Sequence, residues 1–318
     1  MMARIGTAMA LAIALCTAAT AQQKYPSRNI DLIIPFTVGG GVDLIARAMG
    51  VSLAEQLGQP VVAVNRDGAA GTLGFTQLAG ATADGHTISF SPSTPIANAP
   101  YLVKGVRYTA DSFEYICQVF ENVFAIAVGP NSKFKTAKDL LDAAKSKPEG
   151  LTFGHAGIGS IPHLSVENFA DALKFKVQHL PFRGDGVMMP VLIKGDIEFG
   201  STAVSSIRGN DTIRPLVIFA DKRHPAYPDV PTAKELGVAT SVPPGHNGIF
   251  APKGLSGEVK SALERSCANA IKSEAVLRVI GNTGQTITYL DGAQFEAQTR
   301  ADTKFKGELI KRLGLAAQ

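Results

Sequence analysis

The chain has 318 residues, 45% of them hydrophobic and 18% charged, a globular balance long enough for one large or two medium domains. Its 31 basic and 27 acidic residues leave a net charge of only +4, and no dense basic run is interleaved with aromatics, which excludes nucleic acid as a partner.

Met1 to Ala21 reads as an export signal. Arg4 supplies the positive start, Ala8 to Leu15 the short apolar run, and Ala19-Thr20-Ala21 the A-x-A site, so cleavage is expected after Ala21. The run is shorter than the ~20 apolar residues of a spanning helix. Leu15 stands before Cys16 where a lipoprotein signal needs a small residue. The exported chain is therefore expected in the periplasm, keeping Cys117 and Cys267 in an oxidising compartment. Two separate buried thiols and a disulfide are both open to them, and export tilts the balance towards the disulfide.

The stretch Ile30 to Asp43 starts as a short apolar strand, breaks at Gly39-Gly40-Gly41 and runs at once into a helical pattern. Val42, Ile45, Ala46, Met49, Leu53 and Leu57 share one face of that helix, and Gly58 stops it. A strand feeding a Gly-rich turn at a helix start leaves backbone N–H groups for an anion, although a tight turn without a ligand has the same pattern. Val61 to Val64 is a second strand, leading into the small-residue loop Asn65 to Gly71. Thr87 to Phe90 is a third, ending in Ser91-Pro92-Ser93-Thr94. Alternating strands and helices predict a mostly parallel sheet with ligands at the carboxyl ends of its strands.

Phe113 to Phe120 and Phe124 to Val128 are strands in close succession. Thr136, with Asp139 three residues on, caps a helix that Pro148 and Gly150 end. Leu151 to Gly154 is a strand, and the loop His155 to Pro162 is a second Gly-rich entry to a helix. Val177 to Phe182 ends in Arg183-Gly184-Asp185, and Pro190 marks the next helix as kinked or short. Ile197 to Phe199, Ile213 to Ala220 and Asn247 to Ala251 are further strands, Glu258 to Ile271 is an amphipathic helix, and a last helix begins at Asp291.

Catalytic chemistry finds no support. G-x-G-x-x-G fails at Leu44, and there is no G-x-x-x-x-G-K-[ST] loop. Ser160 and His163 lie three apart without a G-x-S-x-G turn or a placed acid, so a capping Ser and a helix-start His explain them better. The six histidines show no H-E-x-x-H or Cys/His ligand spacing. No catalytic residue, metal site or cofactor is expected. Arg183, in a strand-end turn, is either a surface Arg or a fork for a carboxylate.

Several stretches together resemble the Bug-type solute-binding proteins, the extracytoplasmic receptors of tripartite tricarboxylate transporters. They are Pro35 to Asp43, Leu57 to Val62, Asn65-Arg66, Ala83-Asp84-Gly85, Gly157 to Ser160 with His163-Leu164, Pro181 to Gly184, Tyr227 to Thr232 and Gly248 to Pro252. The resemblance implies an α/β, type II-like periplasmic-binding-protein fold: two domains, each a mostly parallel sheet flanked by helices, with the ligand cleft between them. Residues 22–121 and 222–318 would form the first domain and 122–221 the second. Carried over by position, Thr37, Val38, Gly39 and Gly40 would supply donors from one side. Ala156, Gly157, Ser160 and Arg183 would face them, with Ser93 and Thr94 near the cleft floor. The chain departs from the family at cleft-lining places: Thr37-Val38 stands for Pro-Pro, His155 for a small polar residue, His246 lies near a usual aromatic, and Thr202-Ala203 stands for an acidic or amide pair.

The resemblance implies a monomeric receptor that captures a small organic mono- or dicarboxylate and delivers it to the membrane components of a tripartite transporter. A ligand sensor for a signalling partner, or an exported enzyme of similar fold, are the rival readings. The uncharged Thr202-Ala203 pair favours a carboxylate without an amine, since an ammonium group would lack its partner there.

Overall fold

The computed structural model describes residues 24–240, 242–285 and 287–316. The expected export signal, Met1 to Ala21, lies outside them. Among the described residues no helix is long and apolar enough to cross a membrane.

Among the described residues eleven strands form two sheets, with the order β11-β4-β10-β3-β1-β2 in one and β7-β6-β8-β5-β9 in the other. The first contains β1 (Ile30–Ile34), β2 (Val61–Asn65), β3 (Thr87–Pro92), β4 (Phe113–Asn122), β10 (Gly245–Pro252) and β11 (Ile287–Asp291). The second contains β5 (Phe124–Val128), β6 (Leu151–His155), β7 (Val177–Pro181), β8 (Phe199–Ala203) and β9 (Arg214–Phe219). Both sheets are mixed, where the alternating pattern predicts mostly parallel ones. β1 pairs in parallel with β2 and β3, and β6 with β7 and β8. The antiparallel pairs are β10 with β3 and β4, β11 with β4, and β5 with β8 and β9. These strands lie at or follow the crossings between sheets, where no strand–helix–strand unit sets a parallel neighbour.

Helices cover both faces of each sheet. Ile45, Ala46, Met49 and Leu53 of the helix Gly41–Leu57 are buried against one face of the first sheet, beside Leu263, Cys267 and Ala270 of the helix Gly257–Ala270. Each large apolar side chain buried this way contributes about 1.5–3 kcal/mol. The other face carries an aromatic cluster of Phe75, Phe113, Tyr115, Phe250 and Phe295. Phe153, Phe169, Phe199 and Phe219 fill one face of the second sheet, and Met188, Leu192 and Ile218 the other. The cap at Thr136 forms as expected: its hydroxyl accepts from Asp139 N–H at 3.2 Å and its own N–H donates to Asp139 Oδ2 at 2.9 Å.

Only Val123 separates β4 from β5, so the outward crossing is one residue long. Ala233 and Val238 lie in the core of the second sheet, and Thr232 bridges to Ile218. Beside the outward crossing His246, opposite Glu121 in the β4–β10 register, is buried between Glu121 and Asp302, each 3.2 Å away. Buried Lys306 closes the group on Asp302 at 2.8 Å. Burial lowers the pKa of His246, but its bonds to Asp302 and Glu121 outweigh that and hold it above the ordinary value.

Cys117 of β4 and Cys267 form a disulfide, with Cα atoms 6.6 Å apart and a sequence separation of 150. The tilt towards a bridge is borne out. Cys117 enters from the sheet and Cys267 from the apolar face of the covering helix.

Candidate functional site between the sheets

β1 delivers the chain to the turn Pro35–Gly40. Gly39 has φ +85°, the left-handed region, which a side chain would strain. Its N–H donates to Asp43 Oδ2 at 2.9 Å. Asp43 is buried, and it also accepts from Arg47 Nε at 3.0 Å and Asn65 Nδ2 at 2.8 Å. Asn65 Nδ2 reaches on to the Phe36 carbonyl at 2.9 Å. Asp43 therefore holds the turn in shape, as its place just inside the helix suggests. Burial works to raise its pKa, but the bonds from Arg47, Gly39 and Asn65 outweigh it and keep it below the usual carboxylate value. No side chain caps the helix at Gly40, so its first-turn amides stay available.

The second Gly-rich loop leaves β6 and enters the helix Ile161–Leu173, capped by Ser160. Gly159 has φ +73°, and a methyl group there would lie 1.9 Å from Leu102 Cδ1. Its carbonyl accepts from Asn98 Nδ2 at 2.6 Å, which ties this loop to the first-sheet half. A third turn, Phe182–Gly184, leads from β7 into the helix Asp185–Lys194, which runs ten residues with Pro190 inside it. A methyl group on Gly184 would be 3.8 Å from Thr37 Oγ1, so the first and third turns approach each other. Arg208 also spans the halves, donating from Nη1 to the Gly281 carbonyl at 2.8 Å.

These turns enclose a cavity of about 570 Å³. Of the thirteen residues expected at the site, Thr37, Val38, Gly39, Gly40, Thr94, Ala156, Ser160, Arg183 and Ala203 line it. Ser93, His155, Gly157 and Thr202 do not. Ser93 is buried, with its N–H donated to the His246 carbonyl at 2.8 Å. The Gly157 carbonyl accepts from His155 Nδ1 and from Ser160 N–H. Thr202 gives its hydroxyl to Asp185. Arg183 lines the cavity and forms no ion pair or side-chain hydrogen bond among the described residues. A depression of about 330 Å³ beside the helix Gly292–Arg312 is lined by Tyr101, Arg300, Lys304 and Lys311, but lies away from all three turns. Arg300 there is already committed to Asp111 and Glu296.

Asp185 is a cavity residue that the sequence reading leaves unweighed. Its Oδ2 accepts from Thr202 Oγ1 at 2.7 Å, Ser206 Oγ at 2.7 Å and Ala203 N–H at 3.1 Å. An acid therefore stands against Thr202-Ala203 after all, supplied by the neighbouring helix start. The sequence signal was there, a carboxylate as first helical residue after Arg183-Gly184, but its partners 17 to 21 residues on were not.

Sequence spacing also hides the meeting of His155, His163 and His179, whose ring nitrogens lie within 4.8 Å of one another. The rings of His155 and His163 are stacked, with centroids 4.3 Å apart. His155 donates from Nδ1 to the Gly157 carbonyl at 2.8 Å, leaving Nε2 to accept from His179 Nδ1 at 3.2 Å. His163 Nδ1 accepts from Gly159 N–H at 3.0 Å, which puts its proton on Nε2. The lone pairs are thus not gathered on one point, and a cation would have to displace these bonds. Burial, then the nearby His163, push the pKa of His155 down to about 3, so the ring is neutral.

A family model described as "Tripartite tricarboxylate transporter family receptor" matches residues 45–315. Protein BugT of Bordetella pertussis (strain Tohama I) is 30% identical over 282 residues, 87% of this chain and 86% of its own length. The structure of the periplasmic binding protein BugD superposes with a TM-score of 0.84 at 26% identity, covering 92% of this chain and all of that one. An R. palustris protein solved with adipate has the same fold, with a TM-score of 0.85 at 24% identity over 92% of this chain and 99% of its own. With the matched region spanning most of the sequence, the chain belongs to the tripartite tricarboxylate transporter receptor family.

Proposed function

We propose that this chain is a periplasmic receptor that takes up a small organic carboxylate and hands it to the membrane components of a tripartite transporter. The observation that carries the reading is the cavity itself. Two Gly-rich turns at helix starts line it from the two sheets, and Arg183, unpaired among the described residues, stands between them. Backbone donors at helix starts favour an anion, and one guanidinium adds a charge-assisted pair. The volume of about 570 Å³ suits a small ligand and its water. The ligand-contacting residues we propose are Thr37, Val38, Gly39, Gly40, Thr94, Ala156, Ser160, Arg183 and Ala203. No catalytic constellation is needed for this role, and the reading is not enzymatic.

The two sheets serve as two lobes: 22–122 with 239–318, and 123–238, the later return being supported by Ala233 and Val238. The export signal ending at Ala21 directs the chain to the periplasm, where it acts as a monomer. Thermal-shift screening of mono- and dicarboxylates against neutral sugars and amino acids tests the ligand class. Carboxylates are expected to raise the melting temperature. Stabilisation by sugars alone would refute the reading.

A further inference from the structure

Three helix starts face the cavity, and they are not equivalent as anion sites. At the helix Gly41–Leu57 the N–H groups of Gly41, Val42 and Asp43 precede the first helical bond, from Leu44 N–H to the Gly40 carbonyl, and no side chain caps them. At the helix Ile161–Leu173 the N–H groups of Gly159, Ser160 and His163 are already given to His163 Nδ1, the Gly157 carbonyl and Ser160 Oγ, and Pro162 has none. At the helix Asp185–Lys194 the first turn carries its own carboxylate, and Asp185 Oδ2 collects the Thr202 and Ser206 hydroxyls and the Ala203 N–H. Arg183 is the only cation among the described residues that line the cavity. It belongs to the turn that approaches Thr37, so the one cation and the one open helix start lie at the same end.

Elsewhere the wall is largely apolar. A methyl group on Gly245 would be 3.2 Å from Ile161 Cδ1 and 3.6 Å from Phe124 Cε2, so these two lining side chains stand together beside the crossing from β4 to β5. Asn122, at that crossing, has its Oδ1 taken by Gln285 Nε2 at 2.6 Å. Met189 lines the cavity one helical turn after Asp185. Val38 and Leu44 line it while 71% and 44% exposed, which leaves apolar surface for a ligand to cover.

We infer that the ligand is a monocarboxylate with an apolar body, an alkyl chain or a ring. Its one charge is held by the Gly41 to Asp43 amides and Arg183, and its body lies against Phe124, Ile161 and Met189. The inference rests on the carboxylate reading above and narrows it. The far carboxylate of a diacid would give up its water for a wall without a cation or an open helix start, where the Thr202, Ser206 and Ala203 donors are already held by Asp185. A methyl group or ring edge in that place forfeits no hydration and buries apolar surface.

Acids matched on one carbon skeleton test this: hexanoate against adipate, and benzoate against terephthalate, by titration calorimetry of the purified protein at pH 7. In each pair the monoacid is expected to bind tighter by about ten-fold or more. Met189→Lys puts a cation on the apolar wall, and should strengthen adipate by about ten-fold while weakening hexanoate. A diacid that binds as tightly as its monoacid in either pair overturns the inference and leaves the carboxylate reading standing. So does a Met189→Lys protein that melts like the wild type yet gains nothing for adipate; should that variant not fold, the wild-type pairs decide alone. In the thermal-shift screen, stabilisation by di- and tricarboxylates alone overturns this inference only, whereas stabilisation by sugars alone overturns it together with the carboxylate reading.

Discussion

Removing Asp43 should loosen the first Gly-rich turn and cost stability in proportion to the bonds it holds. In Asp43→Ala, Gly39 N–H, Asn65 Nδ2 and Arg47 Nε lose an acceptor at 2.9, 2.8 and 3.0 Å. Hydrogen bonds to a charged group are worth about 1.5–3 kcal/mol each. Arg47 must be discounted, because its side chain is 42% exposed and rehydrates when the partner goes. Asn65 keeps the Phe36 carbonyl and Arg47. The remainder is about 3 kcal/mol, which lowers the melting temperature of a chain this size by about 4–6 °C. Since the folded pKa of Asp43 is depressed, this contribution is complete above the unfolded value near 4 and fades as pH falls below it. Differential scanning fluorimetry at pH 7 measures the loss, and urea midpoints at pH 7 and 3 measure its fading. A shift under 2 °C at pH 7, or an equal deficit at pH 3, would refute the role given to Asp43.

The oxidised chain, once denatured, should show no titratable thiol at Cys117 or Cys267, and Cys267→Ser should cost about 2–5 kcal/mol by urea denaturation. Arg183→Ala should weaken binding of a stabilising carboxylate by about ten-fold while leaving the melting temperature of the ligand-free protein alone. Small-angle scattering should show a smaller radius of gyration at saturation with a stabilising carboxylate, with Arg208→Ala weakening that compaction through loss of its Gly281 contact; an unchanged radius at proven saturation counts against closure. His246 has a raised folded pKa, so its contribution is full below the unfolded value near 6.5 and is lost as pH rises through the folded one. His246→Gln should therefore be less stable than wild type at pH 6, with the gap narrowing on the alkaline side.

The turns were legible because their signals are local. Gly39 is read from three consecutive glycines between an apolar strand and an amphipathic helix, and Ser160 from its place three residues before His163. Asp43 was legible for the same reason, since it bonds an amide four residues back. What stayed hidden depends on which strands lie side by side. Asp185 meets Thr202 because both β7 and β8 pair with β6. His155, His163 and His179 meet for a related reason, since β6 and β7 run in register with His155 opposite Pro181. No periodicity encodes that adjacency. The helix Glu274–Thr283 was also missed, although Ser273 and Gly284 cap it and Val276 and Ile280 bury one face, and so was strand β11, whose positions are half-buried or exposed.

The Cys117–Cys267 bridge closes a loop that contains all of β5 to β9. The half of the molecule built on the second sheet is thus a chain segment whose two ends are anchored on the same side of one covalent ring. If that half melts, its ends cannot drift apart, and its refolding begins from a pre-closed loop whose entropy has already been surrendered. Oxidation also has to wait for synthesis to pass Cys267, after every strand of that half has been made. The reduced chain lacks this tether, and so is easier to unfold than the oxidised protein.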